Sequence, residues 1–154
     1  MKVFISYGDA RDQITALRLQ ALGAVNGLTV YVPPAWTRQG VPTLVDPEAS
    51  QKLNEAEVVL GVVGSGLTEA CRQELSTGAT LRKSMIVMTY PESAPQLQPY
   101  FGPNLVVIDP SDPGTAEAST VRHLKTLAGQ QKTALLALGT LALGLLILAS
   151  TDRS

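Results

Sequence analysis

Short apolar runs alternate with segments of helical periodicity along the first 130 residues of this chain. The apolar runs are typical of buried strands and cover residues 3–6, 28–32, 58–63, 85–89 and 105–108. Uninterrupted apolar runs predict strands covered on both faces, which is the environment of a parallel sheet with helices on its two sides. The pattern therefore predicts an α/β fold with helices on both faces of a five-stranded parallel sheet, in the flavodoxin-like order 2-1-3-4-5.

Helical segments occupy the intervals between the predicted strands. Asp9 is the predicted N-cap of the first helix because its carboxylate can accept hydrogen bonds from free backbone N–H groups. Four apolar residues recur near helical spacing in this helix and are expected to face the core: Ile14, Leu17, Leu22 and Val25. Further helices are predicted at residues 46–55, 67–81 and 115–130. The proline-rich segments 33–42 and 91–103 are expected to be irregular, since proline lacks a backbone N–H.

The C-terminal segment differs in composition from the rest of the chain. Residues 133–150 carry no charged side chain and are mostly Leu and Ala. Eighteen helical residues rise about 27 Å, close to the ~30 Å hydrocarbon thickness of a bilayer. A buried core helix of this length would show a polar face, so a transmembrane helix is predicted. We expect a domain at 1–130 and a tail anchor at 133–150, with Lys125 and Lys132 keeping the domain cytoplasmic.

Charge and cysteine content exclude several classes of function. The formal net charge is −1 and no segment collects Lys and Arg, so nucleic-acid binding has no electrostatic support. Cys71 is the only cysteine, which excludes an intrachain disulfide and a metal site built from several cysteines. No cluster of histidine, cysteine and carboxylate residues suggests a metal, and none is expected.

The predicted strand order places a crevice between the carboxyl ends of the first and third strands, where ligands of open parallel sheets bind. Seven residues on its rim are candidates for contact with a nucleotide: Ser6, Tyr7, Gly8, Trp36, Arg38, Gly64 and Ser65. Arginine can pair with phosphate, and tryptophan can either stack on a base or pack its loop onto the domain. The Gly64–Ser65 turn precedes a predicted helix, where it could hold a phosphate or form an ordinary tight turn.

Four segments of the chain carry a resemblance to a known family. They are Phe4-Ile5-Ser6-Tyr7 with Asp9, the proline loop 33–42, the segment 53–63, and Cys71-Arg72-Gln73-Glu74. In this order and spacing they resemble the bacterial type of Toll/interleukin-1 receptor (TIR) domain. They match that family's first-strand box, BB loop, central strand and third helix. The resemblance implies self-association through the BB-like loop 33–42.

The resemblance also implies a catalytic role for Glu74. In NAD-cleaving TIR domains the catalytic glutamate lies on the third helix, one helix length before the fourth strand, and Glu74 matches this position. Cleavage of the nicotinamide–ribose bond builds positive charge on the sugar, which a carboxylate can stabilise. Nicotinamide leaves from a cationic pyridinium, so no general acid is needed. Two alternatives stay open: Glu69 as the reactive carboxylate, and Glu74 as a solvated helix residue paired with a nearby Arg or Lys.

The resemblance thus implies a membrane-anchored NAD glycohydrolase that uses NAD as a substrate and holds no permanent cofactor. It further implies a self-associating immune or antiphage effector with an activating partner that the sequence does not identify. A non-enzymatic TIR adaptor is one alternative, since no aromatic residue stands shortly before Glu74 as it does in many enzymatic relatives. A nucleoside deoxyribosyltransferase-like enzyme is the other. Its neutral leaving base would need a proton donor, for which Asp9 is the candidate.

Overall fold

A computed structural model describes residues 1–38 and 46–129, which form a parallel sheet covered by helices on both faces. The strands are β1 (Lys2–Tyr7), β2 (Thr29–Tyr31), β3 (Val58–Val62), β4 (Ser84–Thr89) and β5 (Leu105–Val107). The α-helices are α1 (Ala10–Val25), α2 (Pro47–Glu55), α3 (Glu69–Thr80), α4 (Ala94–Phe101) and α5 (Pro113–Gly129). Every strand pair is parallel and the order is β2-β1-β3-β4-β5, which confirms the predicted α/β fold and strand order.

Alternating side chains along the inner strands build a separate core on each face of the sheet. Val3, Ile5 and Tyr7 of β1 pack with residues of α1 and α5 on one face. Phe4 packs with residues of α2, α3 and α4 on the other face. Tyr7 at the end of β1 lies beside Val62 at the end of β3, so the carboxyl ends of these two strands share one edge of the sheet.

The face of α1 that packs on the sheet is not the face expected from its apolar residues. Three of the four residues expected in the core are largely exposed: Ile14 at 57%, Leu17 at 48% and Val25 at 85%. Only Leu22 of the four packs partly against the core, and the helix buries Ala16, Leu19 and Gly23 instead. A Cβ on Gly23 would lie 2.8 Å from Val30 Cγ2. The expectation is wrong because α1 packs on the sheet through the side that carries Ala16, Leu19 and Gly23, with Gly23 close to β2.

Two segments predicted to be irregular contain helical turns. Within residues 91–103 the chain forms α4, in which Pro95 occupies the first turn, where a missing N–H costs no hydrogen bond. Leu97 and Phe101 lie one turn apart and are buried, so packing holds this helix on the sheet despite its prolines. In the loop after β2, residues Ala35–Arg38 form a short 3-10 helix. The prediction of irregular structure is therefore wrong for 94–101 and for the single turn 35–38, and residues 39–42 of the loop lie outside the described part of the chain.

Residues 39–45 and 130–154 lie outside the described part of the chain. The transmembrane helix predicted at 133–150 falls in the second of these ranges, and part of the BB-like loop falls in the first. Within residues 1–38 and 46–129, no helix is both long and apolar enough to cross a membrane.

Candidate functional site

Helix α3 carries Glu74 to the carboxyl end of β1. The helix starts where the Thr68 side chain accepts a hydrogen bond from Cys71 N at 3.3 Å, which caps its first turn. Glu74 lies on the inner side of this helix and has no exposed surface. Its Oε1 accepts a hydrogen bond of 2.7 Å from the hydroxyl of Ser6, which is buried in β1. The predicted catalytic glutamate is thus an interior residue and not a solvated one.

Arg38 supplies the positive charge that compensates this buried carboxylate. Its two terminal nitrogens, Nη1 and Nη2, donate to Glu74 Oε1 and Oε2, each at 2.7 Å. The side chains of Arg38 and Glu74 are only 5% and 0% exposed. Burial alone would lower the pKa of Arg38, but the hydrogen bonds and charge of Glu74 outweigh burial and raise it. The guanidinium therefore stays charged, as its bidentate contact with the carboxylate requires.

The end of β1 also holds the start of the loop that follows β2. Tyr7 donates its hydroxyl to the carbonyl of Pro33 at 2.7 Å, and Arg38 Nη1 donates to the carbonyl of Tyr7 at 2.9 Å. The Arg38 guanidinium lies 4.7 Å from the centroid of the Tyr7 ring. Burial raises the pKa of Tyr7, so its hydroxyl remains a donor. Trp36, in contrast, is 49% exposed.

Glu69, the alternative reactive carboxylate, has the properties of a surface residue. It lies in the first turn of α3, where an acidic side chain suits the helix dipole. Its side chain is 69% exposed and pairs with Arg72 Nη1 at 3.0 Å. The two glutamates of α3 therefore differ sharply in environment, and only Glu74 lies at the end of β1.

A second buried carboxylate, Asp12, was missed from the sequence. Its Oδ1 accepts from Gly64 N at 3.1 Å and its Oδ2 accepts from Asp9 N at 3.3 Å. Asp9 in turn accepts from Asp12 N, so the two residues form a reciprocal capping box and the predicted N-cap is confirmed. Burial, with help from the nearby Asp9 charge, raises the pKa of Asp12 to about 6. The spacing of two acids three residues apart at a helix start was the signal that could have revealed it.

Two predicted contact residues are glycines at positions where neighbouring side chains leave no room for a Cβ. A Cβ on Gly64 would lie 2.5 Å from Tyr90 Cε2 and 2.8 Å from Asp12 Oδ1. A Cβ on Gly8 would lie 2.8 Å from Asp12 Oδ2. The N–H of Gly64 is already bonded to Asp12, so it is not available to a phosphate in this structure. Ser65 next to it is exposed.

The structure divides the seven predicted contact residues among different places. Ser6, Tyr7 and Arg38 surround Glu74. The Gly64–Ser65 turn instead lines a cavity of about 330 Å³, together with residues from α1 and from the loops after β4 and β5. This cavity includes Arg11 and Tyr90, which the sequence did not single out.

Metal and thiol chemistry find little support in the described residues. In the two ranges 1–38 and 46–129 no group of three or more histidine, cysteine and carboxylate side chains is placed to hold a metal ion. Burial raises the pKa of Cys71 to about 11, so its thiol is protonated at neutral pH and unsuited to nucleophilic attack.

No protein-family model matches the chain, and no curated protein matches it. What the chain can do is therefore inferred from its own residues.

Proposed function

We propose that this protein is a TIR-like NAD glycohydrolase in which Glu74 is the catalytic carboxylate. The observation that carries the proposal is a fully buried, hydrogen-bonded glutamate at the carboxyl end of β1. Taking a carboxylate and its partner out of water is costly, and apolar residues of similar volume would often serve stability as well. A charged pair at the edge where parallel sheets bind ligands therefore favours a functional role.

The chemistry of the reaction suits a single carboxylate. The bond between ribose C1′ and the pyridinium nitrogen breaks, and its electron pair goes to the nitrogen, so nicotinamide leaves as a neutral molecule. The positive charge that remains on the ribose is stabilised by the Glu74 carboxylate. Water then adds to C1′ and loses a proton, which gives ADP-ribose. Ser6 holds one carboxylate oxygen through its 2.7 Å hydrogen bond and so fixes the direction of the negative charge.

Arg38 has to leave Glu74 before a ribose can reach it, since both carboxylate oxygens accept from its guanidinium. The diphosphate of NAD is a competing anion that can form the same bidentate hydrogen bonds with the Arg38 guanidinium. We propose that substrate binding transfers Arg38 from the carboxylate to the diphosphate, and that the freed carboxylate then contacts the ribose. On this proposal Ser6, Tyr7, Gly8, Trp36 and Arg38 border the bound NAD.

The proposal also includes a membrane anchor and self-association. A transmembrane helix at 133–150, with the domain on the cytoplasmic side, would concentrate the domains on a surface and favour contacts through loop 33–42. Such an assembly fits an immune or antiphage effector that depletes NAD when an activating partner engages it. Residues 39–42 and 133–150 lie outside the described part of the chain.

A non-enzymatic TIR adaptor is the second candidate function. The observation that favours it is the closed Arg38–Glu74 pair, which leaves no carboxylate oxygen without a donor. The half-exposed Trp36 on the neighbouring turn would then be an anchor for a partner domain, since exposed tryptophans are enriched at the centres of interfaces.

The test is NAD consumption by the full-length protein in liposomes at high surface density. We expect the wild type to release nicotinamide and Glu74→Gln to lose activity by roughly 100-fold or more, because an electrostatic contact to the transition state is removed. Glu69→Gln is the matched control, since it makes the same change on the exposed side of the same helix. Circular dichroism establishes that each variant is folded.

Turnover by Glu74→Gln at the wild-type rate would rule out the catalytic assignment. Loss of activity in Glu69→Gln alone would move the catalytic role to that residue. If the wild type is inactive at every surface density while it still binds a second copy of itself, the adaptor is the better description.

A further inference from the structure

The cavity of about 330 Å³ beside the Gly64–Ser65 turn is separate from the Glu74 cluster. Its wall is formed by the start of α1 and by the loops that follow β3, β4 and β5. None of its lining residues takes part in the hydrogen bonds of Glu74 or Arg38. The volume lies at the lower end of the range of about 300–1,000 Å³ that small-molecule sites occupy. A nucleotide is therefore a suitable size of ligand.

Arg11 brings a positive charge to this cavity, and its exposed side chain lies over an aromatic ring. Its guanidinium carbon lies 4.4 Å from the centroid of the Tyr90 ring, which also lines the cavity. The same ring is packed close to Gly64, where a Cβ would clash with Tyr90 Cε2. Tyr90 is thus held in place by the turn, and it supports Arg11 by a cation–π contact.

The donors of Arg11 are available to a ligand. Among the described residues its guanidinium forms no ion pair with a carboxylate, whereas Arg18 pairs with Glu117 and Arg38 with Glu74. A planar guanidinium held against a ring keeps its N–H groups oriented, and phosphate is the anion that matches their geometry best. Ser93 adds a side-chain hydroxyl that makes no capping bond at the start of α4.

We propose that this cavity binds the diphosphate group of a nucleotide, with Arg11 as the residue that recognises it. Tyr90 acts as a positioning residue, because it holds the guanidinium and does not itself need to contact the ligand. Glu92 is the one carboxylate among the lining residues, and it opposes anion binding. This binding site is separate from the Glu74 cluster. A nucleotide bound here would therefore act as an effector and would not need to be cleaved.

The test is isothermal titration calorimetry on the full-length protein in nanodiscs, with ADP, pyrophosphate and adenosine as probes. ADP has no nicotinamide–ribose bond, so its binding is measurable whether or not the protein hydrolyses NAD. We expect ADP and pyrophosphate to bind, with affinity that falls as salt rises, and adenosine to bind at least about tenfold more weakly than ADP.

Three charge variants make the test specific. Arg11→Gln is expected to weaken ADP binding by about tenfold or more, because a charge-assisted contact is lost. Glu92→Gln is expected to tighten binding, since it removes the opposing charge. Arg122→Gln on the exposed side of α5 makes the same change of net charge away from the cavity and is expected to leave the affinity unchanged.

The proposal is overturned if no phosphate-bearing probe binds, or if adenosine binds as tightly as ADP. It is also overturned if Arg11→Gln and Arg122→Gln weaken binding equally, because the effect would then come from net charge. A Tyr90→Leu variant that binds ADP as the wild type does would remove the positioning role from Tyr90.

Discussion

Replacement of Arg38 by Met is expected to destabilise the folded domain, because the Glu74 carboxylate is left buried without its counter-charge. The two side chains are 5% and 0% exposed and share two hydrogen bonds of 2.7 Å, so solvent cannot take over the role of the guanidinium. Removal of one partner of such a buried pair costs about 3–5 kcal/mol. Domains of this size are stable by only about 5–15 kcal/mol, so the variant loses a large share of the total.

The double variant separates the ion pair from the packing around it. Arg38→Met combined with Glu74→Leu removes both charges and retains side chains of similar length, so its cost should be well below the sum of the two single changes. We expect a coupling free energy of at least about 2 kcal/mol in this double-mutant cycle. Lys2→Met and Glu55→Leu form the control cycle. Their partly exposed pair spans 3.8 Å and should couple by less than about 1 kcal/mol.

The assay is urea unfolding of the full-length protein in mild detergent, followed by circular dichroism. At a slope of about 1–3 kcal/mol per molar urea, the single change at Arg38 should lower the midpoint by about 2 M. Additive single-variant costs, with coupling no larger than in the control cycle, would refute the conclusion that Arg38 and Glu74 act as one buried unit.

Two further changes test the region around Asp12. Its pKa is raised from its ordinary value of 3.8 to about 6, so protonated Asp12 adds stability that is fully present below about pH 3.8 and is lost as the pH rises through about 6. The free energy of unfolding of the wild type relative to Asp12→Asn should therefore be larger near pH 4 than near pH 8, by about 2 kcal/mol, and a pH-independent difference would contradict this. Gly64→Ala should cost about 1–3 kcal/mol, because its Cβ meets the Tyr90 ring and Asp12. Gly114→Ala, whose Cβ meets nothing closer than 3.9 Å, should be neutral or stabilising in the same urea assay.

The fold was predictable because the five strands are marked by apolar runs that parallel strands require. Val58 to Val62 is buried along its whole length, as a central strand should be. The orientation of α1 was not predictable from the same rule. Apolar periodicity pointed to Ile14, Leu17, Leu22 and Val25, but the helix packs on the sheet through Ala16, Leu19 and Gly23. α4 was missed because its prolines hid the spacing of Leu97 and Phe101.

The candidate site was predictable only in part. The end of β1 and the position of Glu74 followed from the order of elements, since α3 starts at the edge of the sheet where β1 and β3 end. The partner of Glu74 did not, because Arg38 lies 36 residues away and meets it only in the folded chain. Such a long-range pairing carries no local sequence signal. Arg11 and Tyr90 are 79 positions apart in the chain and were missed for the same reason.

The two strands that border the sheet are its shortest, with three residues each in β2 and β5, whereas β1, β3 and β4 have five or six. In β2 the carbonyl of Val30 already accepts from Gln20 Nε2 at 3.1 Å. A strand from a neighbouring molecule would therefore gain few main-chain hydrogen bonds by adding to either edge. Any association between copies would then depend on side chains of loops and helices, and substitutions there could alter it while the sheet itself stays intact.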